Sequence, residues 1–231
     1  MQRLAGRGAI VTGAAEGIGR AVAVGLASEG AAIVLADDRE DRLHELNSEL
    51  LRLGYKSVAV PTDVADEVSV SRLIKHSLSV FENIDILVNA MSLRTPAYIE
   101  DVTERGWDKA LQFNLVDAFL CSKAVVPGML RRSHGRIISF TSPEAFNGSR
   151  NAAPYAAAKA GVIGFSKALA LELAPYGITV NTICIDEYSD DSSESPAATN
   201  ASIGPAIFLA SDAAAYVTGQ TLFAHDAAIR R

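Results

Sequence analysis

Tyr155 and Lys159 stand four residues apart in Pro154-Tyr155-Ala156-Ala157-Ala158-Lys159-Ala160-Gly161, and Ser142 lies thirteen positions before the tyrosine. Alanine is the strongest helix former, so the segment reads as helix. A spacing of four puts phenol and ammonium one turn apart on one face. A positive charge beside a phenol favours the phenolate, and a tyrosine tuned toward neutral pH can serve as general acid and base. The Ser142 hydroxyl could then hold the oxygen that gains or loses the proton. The plainer reading of the same spacing is a solvated lysine on an amphipathic helix, so the pair needs support from the rest of the chain.

A second group with chemical meaning lies near the start. An apolar run ends in Thr12-Gly13-Ala14-Ala15-Glu16-Gly17-Ile18-Gly19-Arg20, and a helical pattern follows. Strand, glycine-rich turn and helix N-terminus are the setting of a dinucleotide site. Glycines let the backbone approach a pyrophosphate, and the free N–H groups of a helix start favour negative charge. Gly13, Glu16, Gly17, Ile18 and Gly19 are therefore candidate cofactor contacts, with the Glu16 carboxylate expected to point away from the phosphates. Eighteen positions after Gly19 comes Asp37, in Ala36-Asp37-Asp38-Arg39. An acid at that distance accepts hydrogen bonds from the adenosine ribose. Together with Asp38 it repels the additional phosphate of NADP, so NAD is the expected cofactor, with NADP disfavoured. Arg39 reads as a surface residue of the next helix's first turn. Asp63 and Val64, after the third strand, could meet the adenine, and Asp63 could equally cap the helix that follows.

These groups need a scaffold, and the pattern supplies one. Short apolar runs at 9–11, 31–35, 58–60, 84–88, 136–140, 178–181 and 221–224 read as buried strands, and helical patterns near 17–29, 40–53, 66–81, 104–132, 153–174 and 203–211 separate them. Continuous apolar strands alternating with helices predict a mostly parallel seven-stranded sheet with helices on both faces, the doubly wound α/β class. Residues 1–231 read as a single domain, and the Ser-, Asp- and Glu-rich stretch 185–200 as a short acidic loop within it.

Composition removes several function classes. The net charge of −6 gives no basic character for nucleic acid. Asp186, Glu187, Asp190, Asp191 and Glu194 form an acidic block that reads as a solvated loop. Cys121 and Cys184 have neither metal-ligand nor disulfide-framework spacing and read as buried small residues, and no metal site is expected. No uninterrupted apolar run reaches membrane-spanning length. The N-terminal residues run straight into a strand and a glycine turn, and Glu16, Arg20 and Glu29 break the apolar stretch that follows, which makes a poor signal peptide. A cytoplasmic protein without membrane attachment is the expectation.

Taken together, these motifs resemble the short-chain dehydrogenase/reductase family over nearly the whole chain. Thr12-Gly13-x-x-x-Gly17-x-Gly19 is similar to the family's cofactor turn, Tyr155-x-x-x-Lys159 with Ser142 to its catalytic motif, and Asn114 in Leu111-Gln112-Phe113-Asn114-Leu115 to its catalytic asparagine. Asn89 keeps the first position of the family's fourth-strand motif, and Asn181 and Tyr216-Val217-Thr218-Gly219-Gln220 also fit. The texture is most like that of 3-oxoacyl-carrier-protein reductases. The resemblance implies a Rossmann fold and an NAD(P)-dependent interconversion of a secondary alcohol and a ketone, on a small-molecule or carrier-bound substrate. It implies that Tyr155 transfers the proton and that Lys159 lowers the Tyr155 pKa and holds the nicotinamide ribose. Ser142 would bind the substrate oxygen, and Asn114 would hold a relay water. It also implies a homodimer or homotetramer through the helices near 104–132 and 153–174.

The chain departs from the pattern in three places. Met91 and Ser92 replace small residues beside the cofactor path, where their bulk could intrude. Ile185 to Asp190 replaces the family's nicotinamide-binding segment, putting Tyr188 and Asp190 where Ile and Thr would stand, and the substrate lid is cut down to the acidic stretch. Ala224-His225-Asp226-Ala227 replaces the family's closing motif. These departures raise the alternative of a weakly active or non-catalytic partner subunit in a hetero-oligomer.

Overall fold

The computed structural model describes residues 2–185 and 196–224. Seven strands form one sheet: β1 (Gly8–Thr12), β2 (Ala32–Asp37), β3 (Ser57–Pro61), β4 (Ile86–Asn89), β5 (Gly135–Thr141), β6 (Ile178–Cys184) and β7 (Thr221–Phe223). Their order is β3-β2-β1-β4-β5-β6-β7, and every pairing is parallel. The helices are α1 (Gly17–Ser28), α2 (Glu40–Arg52), α3 (Glu67–Val80), α4 (Glu104–Leu111), α5 (Asp117–Arg132), α6 (Glu144–Asn147), α7 (Ala153–Leu173) and α8 (Pro196–Ala210).

Successive strand residues point to opposite faces, and the core divides accordingly. Val11, Ile33 and Leu35 pack on one face with Val22 and Leu26 of α1, Leu43, Leu46 and Leu50 of α2, and Ile207 of α8. Ile10, Val34 and Leu87 pack on the other with Val70 and Leu73 of α3, Val125 and Met129 of α5, and Leu173 of α7. A sheet buried on both faces is why its strands read as continuous apolar runs.

Three local features differ from the sequence expectation. The helix expected over 104–132 contains a π-helical turn, Gln112–Val116, between α4 and α5, closed by Asp117 N donating to Gln112 O five residues back. The last helix starts at Pro196, so the end of the stretch read as a 185–200 loop is helical. The cap of α3 is Asp66, whose side chain accepts from Ser69 N at 2.8 Å, whereas Asp63 Oδ1 accepts from Ala65 N at 2.9 Å in the preceding turn. The acidic block, Tyr188, Asp190 and His225 lie outside the described residues. Glu104–Arg132 has the length and apolarity to cross a membrane, but its segments pack against α3, α7, β4 and β5.

Candidate active site

The strand order reverses between β1 and β4, and in open parallel sheets ligands bind beyond the strand C-termini at such a point. Thr12, Asn89 and Thr141 end β1, β4 and β5 there. Thr12 Oγ1 accepts from Ala90 N at 3.2 Å and fixes the β1 exit against β4.

The turn after Thr12 has room only for glycine. Gly13 has φ +64°, and a Cβ there would come within 2.8 Å of Ala90 O; a Cβ on Gly19 would lie 2.1 Å from Gly13 O. Helix α1 begins at Gly17 with no side-chain cap and no acid in its first turn, so its free N–H groups face the turn without competition. Glu16 points away from them: its carboxylate pairs with Arg39 and lies 4.0 Å from Arg42. The residues therefore fit a dinucleotide, with a backbone cradle that a Cβ would fill and an uncapped helix start.

Asp37 is the last residue of β2 and fully buried. Its Oδ2 accepts from Ala15 N at 3.1 Å, and its Oδ1 accepts from Arg39 N and Arg39 Nε, each at 3.0 Å. Burial is the largest influence on this carboxyl and raises its pKa; the main-chain hydrogen bonds from Arg39 and Ala15 oppose it. Arg39, expected on the helix surface, instead bridges Asp37 and Glu16. Val64 is buried in the core and Asp63 is exposed. Asn89 Nδ2 donates to Ser139 Oγ at 3.0 Å, while its buried Oδ1 has no partner among the described residues.

The proton-transfer candidates Ser142, Tyr155 and Lys159 come from two elements, the end of β5 and α7. Ser142 follows β5 directly, and its buried Oγ has no hydrogen-bond partner among the described residues. Tyr155 and Lys159 lie on the inner face of α7, each 2% exposed. The Lys159 ammonium sits 5.6 Å from the Tyr155 ring centroid and donates to Met91 O at 3.3 Å and Phe140 O at 3.4 Å. The solvated-lysine reading is thereby excluded. Thr141 Oγ1 donates to Lys159 O at 2.9 Å and ties α7 to the end of β5.

Asn114 sits in the π-turn with its side chain clasped. Oδ1 accepts from Leu93 N at 2.9 Å, and Nδ2 donates to Leu93 O at 2.9 Å and Ala110 O at 2.8 Å. Both amide hydrogens are thus occupied, leaving a water the second Oδ1 lone pair. The Met91 side chain packs against the core face that holds α3 and α5. Ser92 Oγ stands 3.4 Å from Tyr155 Oη.

Sequence reasoning missed Asp117, which is fully enclosed at the start of α5. Burial pushes its carboxyl up to about 7, and the charge of Lys159 opposes the rise. Asp117 Oδ1 has no hydrogen-bond partner among the described residues. Nearby, burial and then Asp117 raise the Cys121 thiol. The available signal was spacing: Asn114, Asp117 and Cys121 are three and four residues apart, on one helix face.

This combination of switch point, glycine turn and buried Ser-Tyr-Lys set defines a nucleotide-dependent oxidoreductase. The short chain dehydrogenase family model matches residues 7–195, and the chain belongs to that family. It is a dehydrogenase/reductase of the kind that uses NAD(P) on CH–OH and carbonyl groups. A 3-oxoacyl-[acyl-carrier-protein] reductase of Synechocystis is 37% identical, with 96% of each chain covered. A short chain dehydrogenase structure from Mycobacterium smegmatis superposes with a TM-score of 0.90 at 28% identity, covering 98% of this chain and 95% of that one. A Beutenbergia cavernae structure, provisionally described as an NAD(P) dependent gluconate 5-dehydrogenase with NADP bound at low occupancy, has a TM-score of 0.87 at 35% identity, covering 96% of each chain.

Proposed function

We propose that this protein interconverts a secondary alcohol and a ketone, with Tyr155 as general acid and base and NAD as the preferred cofactor. The carrying observation is the buried Tyr155–Lys159 pair on one face of α7, together with a buried Ser142 hydroxyl that lacks a partner among the described residues. A buried polar atom without a partner is costly, and a substrate oxygen would satisfy it. When bound, the nicotinamide supplies or accepts the hydride.

The protein's own residues handle binding and the proton. Ser142 donates a hydrogen bond to the substrate oxygen and holds it for Tyr155. In reduction the Tyr155 Oη–H proton passes to that oxygen; in oxidation Tyr155 removes it. The Lys159 ammonium stabilises the phenolate through its charge and would hold the nicotinamide ribose. Asn114 holds the segment after β4 in place and would offer its side-chain carbonyl oxygen to a relay water. Gly13, Gly17, Ile18 and Gly19 would seat the pyrophosphate, Asp37 the adenosine ribose, and Asp63, Val64 and Asn89 the path between adenine and nicotinamide.

NAD is preferred because Asp37, Asp38 and Glu16 concentrate negative charge where the additional phosphate of NADP would lie. The competing cation, Arg39, is already bonded to two of these acids. The substrate is a small molecule or a carrier-bound thioester. A homodimer or homotetramer would use α5 and α7, which expose Phe119 at 44% and Leu171 at 81% and pair Phe119 edge-on with Phe165. The cytoplasm is the proposed compartment, consistent with the burial of both cysteines, Cys121 and Cys184. Retention of all four catalytic groups favours an enzyme over an idle partner subunit. The test is fluorescence titration with NADH and NADPH: tighter NADH binding is expected, and binding of neither cofactor would reject the proposal.

A further inference from the structure

Met91, Ser92 and Leu93 each meet a different member of the catalytic set. Met91 O accepts from Lys159 Nζ at 3.3 Å, Ser92 Oγ lies 3.4 Å from Tyr155 Oη, and Leu93 N and O pair with the Asn114 amide. The first and third contacts use main-chain atoms on the 91–93 side and would survive most substitutions. The second is a side-chain contact that depends on serine at 92.

The Ser92–Tyr155 contact changes character with the charge on Tyr155. A protonated phenol can donate to Ser92, and the hydroxyl of a serine can also turn to donate. Once the proton has left, the Tyr155 oxygen can only accept, so Ser92 must be the donor. At 3.4 Å the contact is long for a hydroxyl pair, which prefers about 2.7–2.8 Å. Hydrogen bonds to a charged oxygen are shorter and roughly twice as strong. The contact is therefore weak beside the phenol and strong beside the phenolate, which is the differential that moves a titration. Ser92 is half-buried and Tyr155 is 2% exposed, so the Tyr155 oxygen is already withdrawn from bulk water when the bond tightens.

We propose that Ser92 is a positioning residue for proton transfer, its hydroxyl donating to the Tyr155 oxygen when that oxygen is ionised and sharing the negative charge with Lys159. The proposal rests on the acid–base role given above to Tyr155.

The experiment is an ultraviolet phenolate titration of the full-length protein. The chain has six tyrosines, so subtracting the titration of Tyr155→Phe isolates Tyr155. The same subtraction is made in Ser92→Ala, Ser92→Gly and Ser92→Thr backgrounds. Removing the hydroxyl is expected to raise the Tyr155 midpoint by about one pH unit, the worth of one hydrogen bond to a charged group. Ser92→Thr, which keeps a hydroxyl, is expected to hold it near the wild-type value. Circular dichroism checks folding, and should Ser92→Ala not fold, the Gly and Thr variants carry the comparison. An unmoved midpoint in the hydroxyl-free variants overturns the role of Ser92 and leaves that of Tyr155 standing, as does an equal rise in Ser92→Thr. A wild-type Tyr155 that titrates like a free phenol overturns both.

Discussion

Replacing Asp117 by Asn should change the pH dependence of stability in a calculable way. The Asp117 carboxyl is fully enclosed, and its folded-state value of about 7 stands above the ordinary 3.8, chiefly through burial, with Lys159 pulling the other way. An acid whose pKa is raised on folding binds its proton more tightly in the folded state. Between about pH 4 and pH 7 the folded protein therefore carries the additional proton, and stability falls as pH rises through that window. The displacement is about three pH units, so the full loss is about 4 kcal/mol at most, since each unit is worth about 1.4 kcal/mol. Asn keeps the shape and cannot ionise. Urea unfolding of wild type and Asp117→Asn at pH 4.5, 6 and 8 reads the difference directly, because other titrating groups cancel in the comparison. The variant should match wild type within about 1 kcal/mol at the acid end and exceed it by roughly 2–4 kcal/mol at pH 8. Parallel pH profiles for the two proteins would refute the reasoning. A variant that becomes relatively less stable toward pH 8 would show instead that ionised Asp117 is a net stabilising partner of Lys159.

Gly19→Ala should abolish NADH binding while leaving the far-ultraviolet circular dichroism unchanged, because the added Cβ would lie 2.1 Å from Gly13 O and force the turn open. Asp37→Ser should shift the ratio of NADH to NADPH affinity by about tenfold toward NADPH, by removing one repulsive carboxylate and releasing Arg39; fluorescence titration with both cofactors measures it. Phe119→Glu, on the exposed aromatic face shared by α5 and α7, should lower the oligomeric mass in light scattering without loss of helix content.

The sequence was most legible where one physical rule acts locally. The strands showed because a sheet covered on both faces favours apolar residues on both sides of each strand, as in Ala9-Ile10-Val11 and Ile86-Leu87-Val88, which are buried throughout. The glycine turn showed because its backbone excludes a Cβ. Features that depend on long-range packing did not show. The π-turn at Gln112–Val116 is a shift of hydrogen-bond register with no compositional mark, and Asp117 reads as a surface acid until its neighbours enclose it. Arg39 looked like a solvated helix residue because its partner Glu16 is 23 positions away and comes near only through the β1-α1-β2 crossover. Ser92 was visible only as a departure in size; its proximity to Tyr155 arises from the meeting of β4 and α7.

The Tyr155 hydroxyl carries the proposed proton transfer. Purified wild-type protein and Tyr155→Phe should be compared for NADH oxidation on a panel of β-keto thioesters and cyclic ketones, with NADH affinity measured in parallel. The expected result is turnover by wild type and a loss of about 10²–10⁴-fold in the variant, the usual contribution of a positioned general acid, with NADH affinity unchanged. Full turnover by Tyr155→Phe would contradict the central claim.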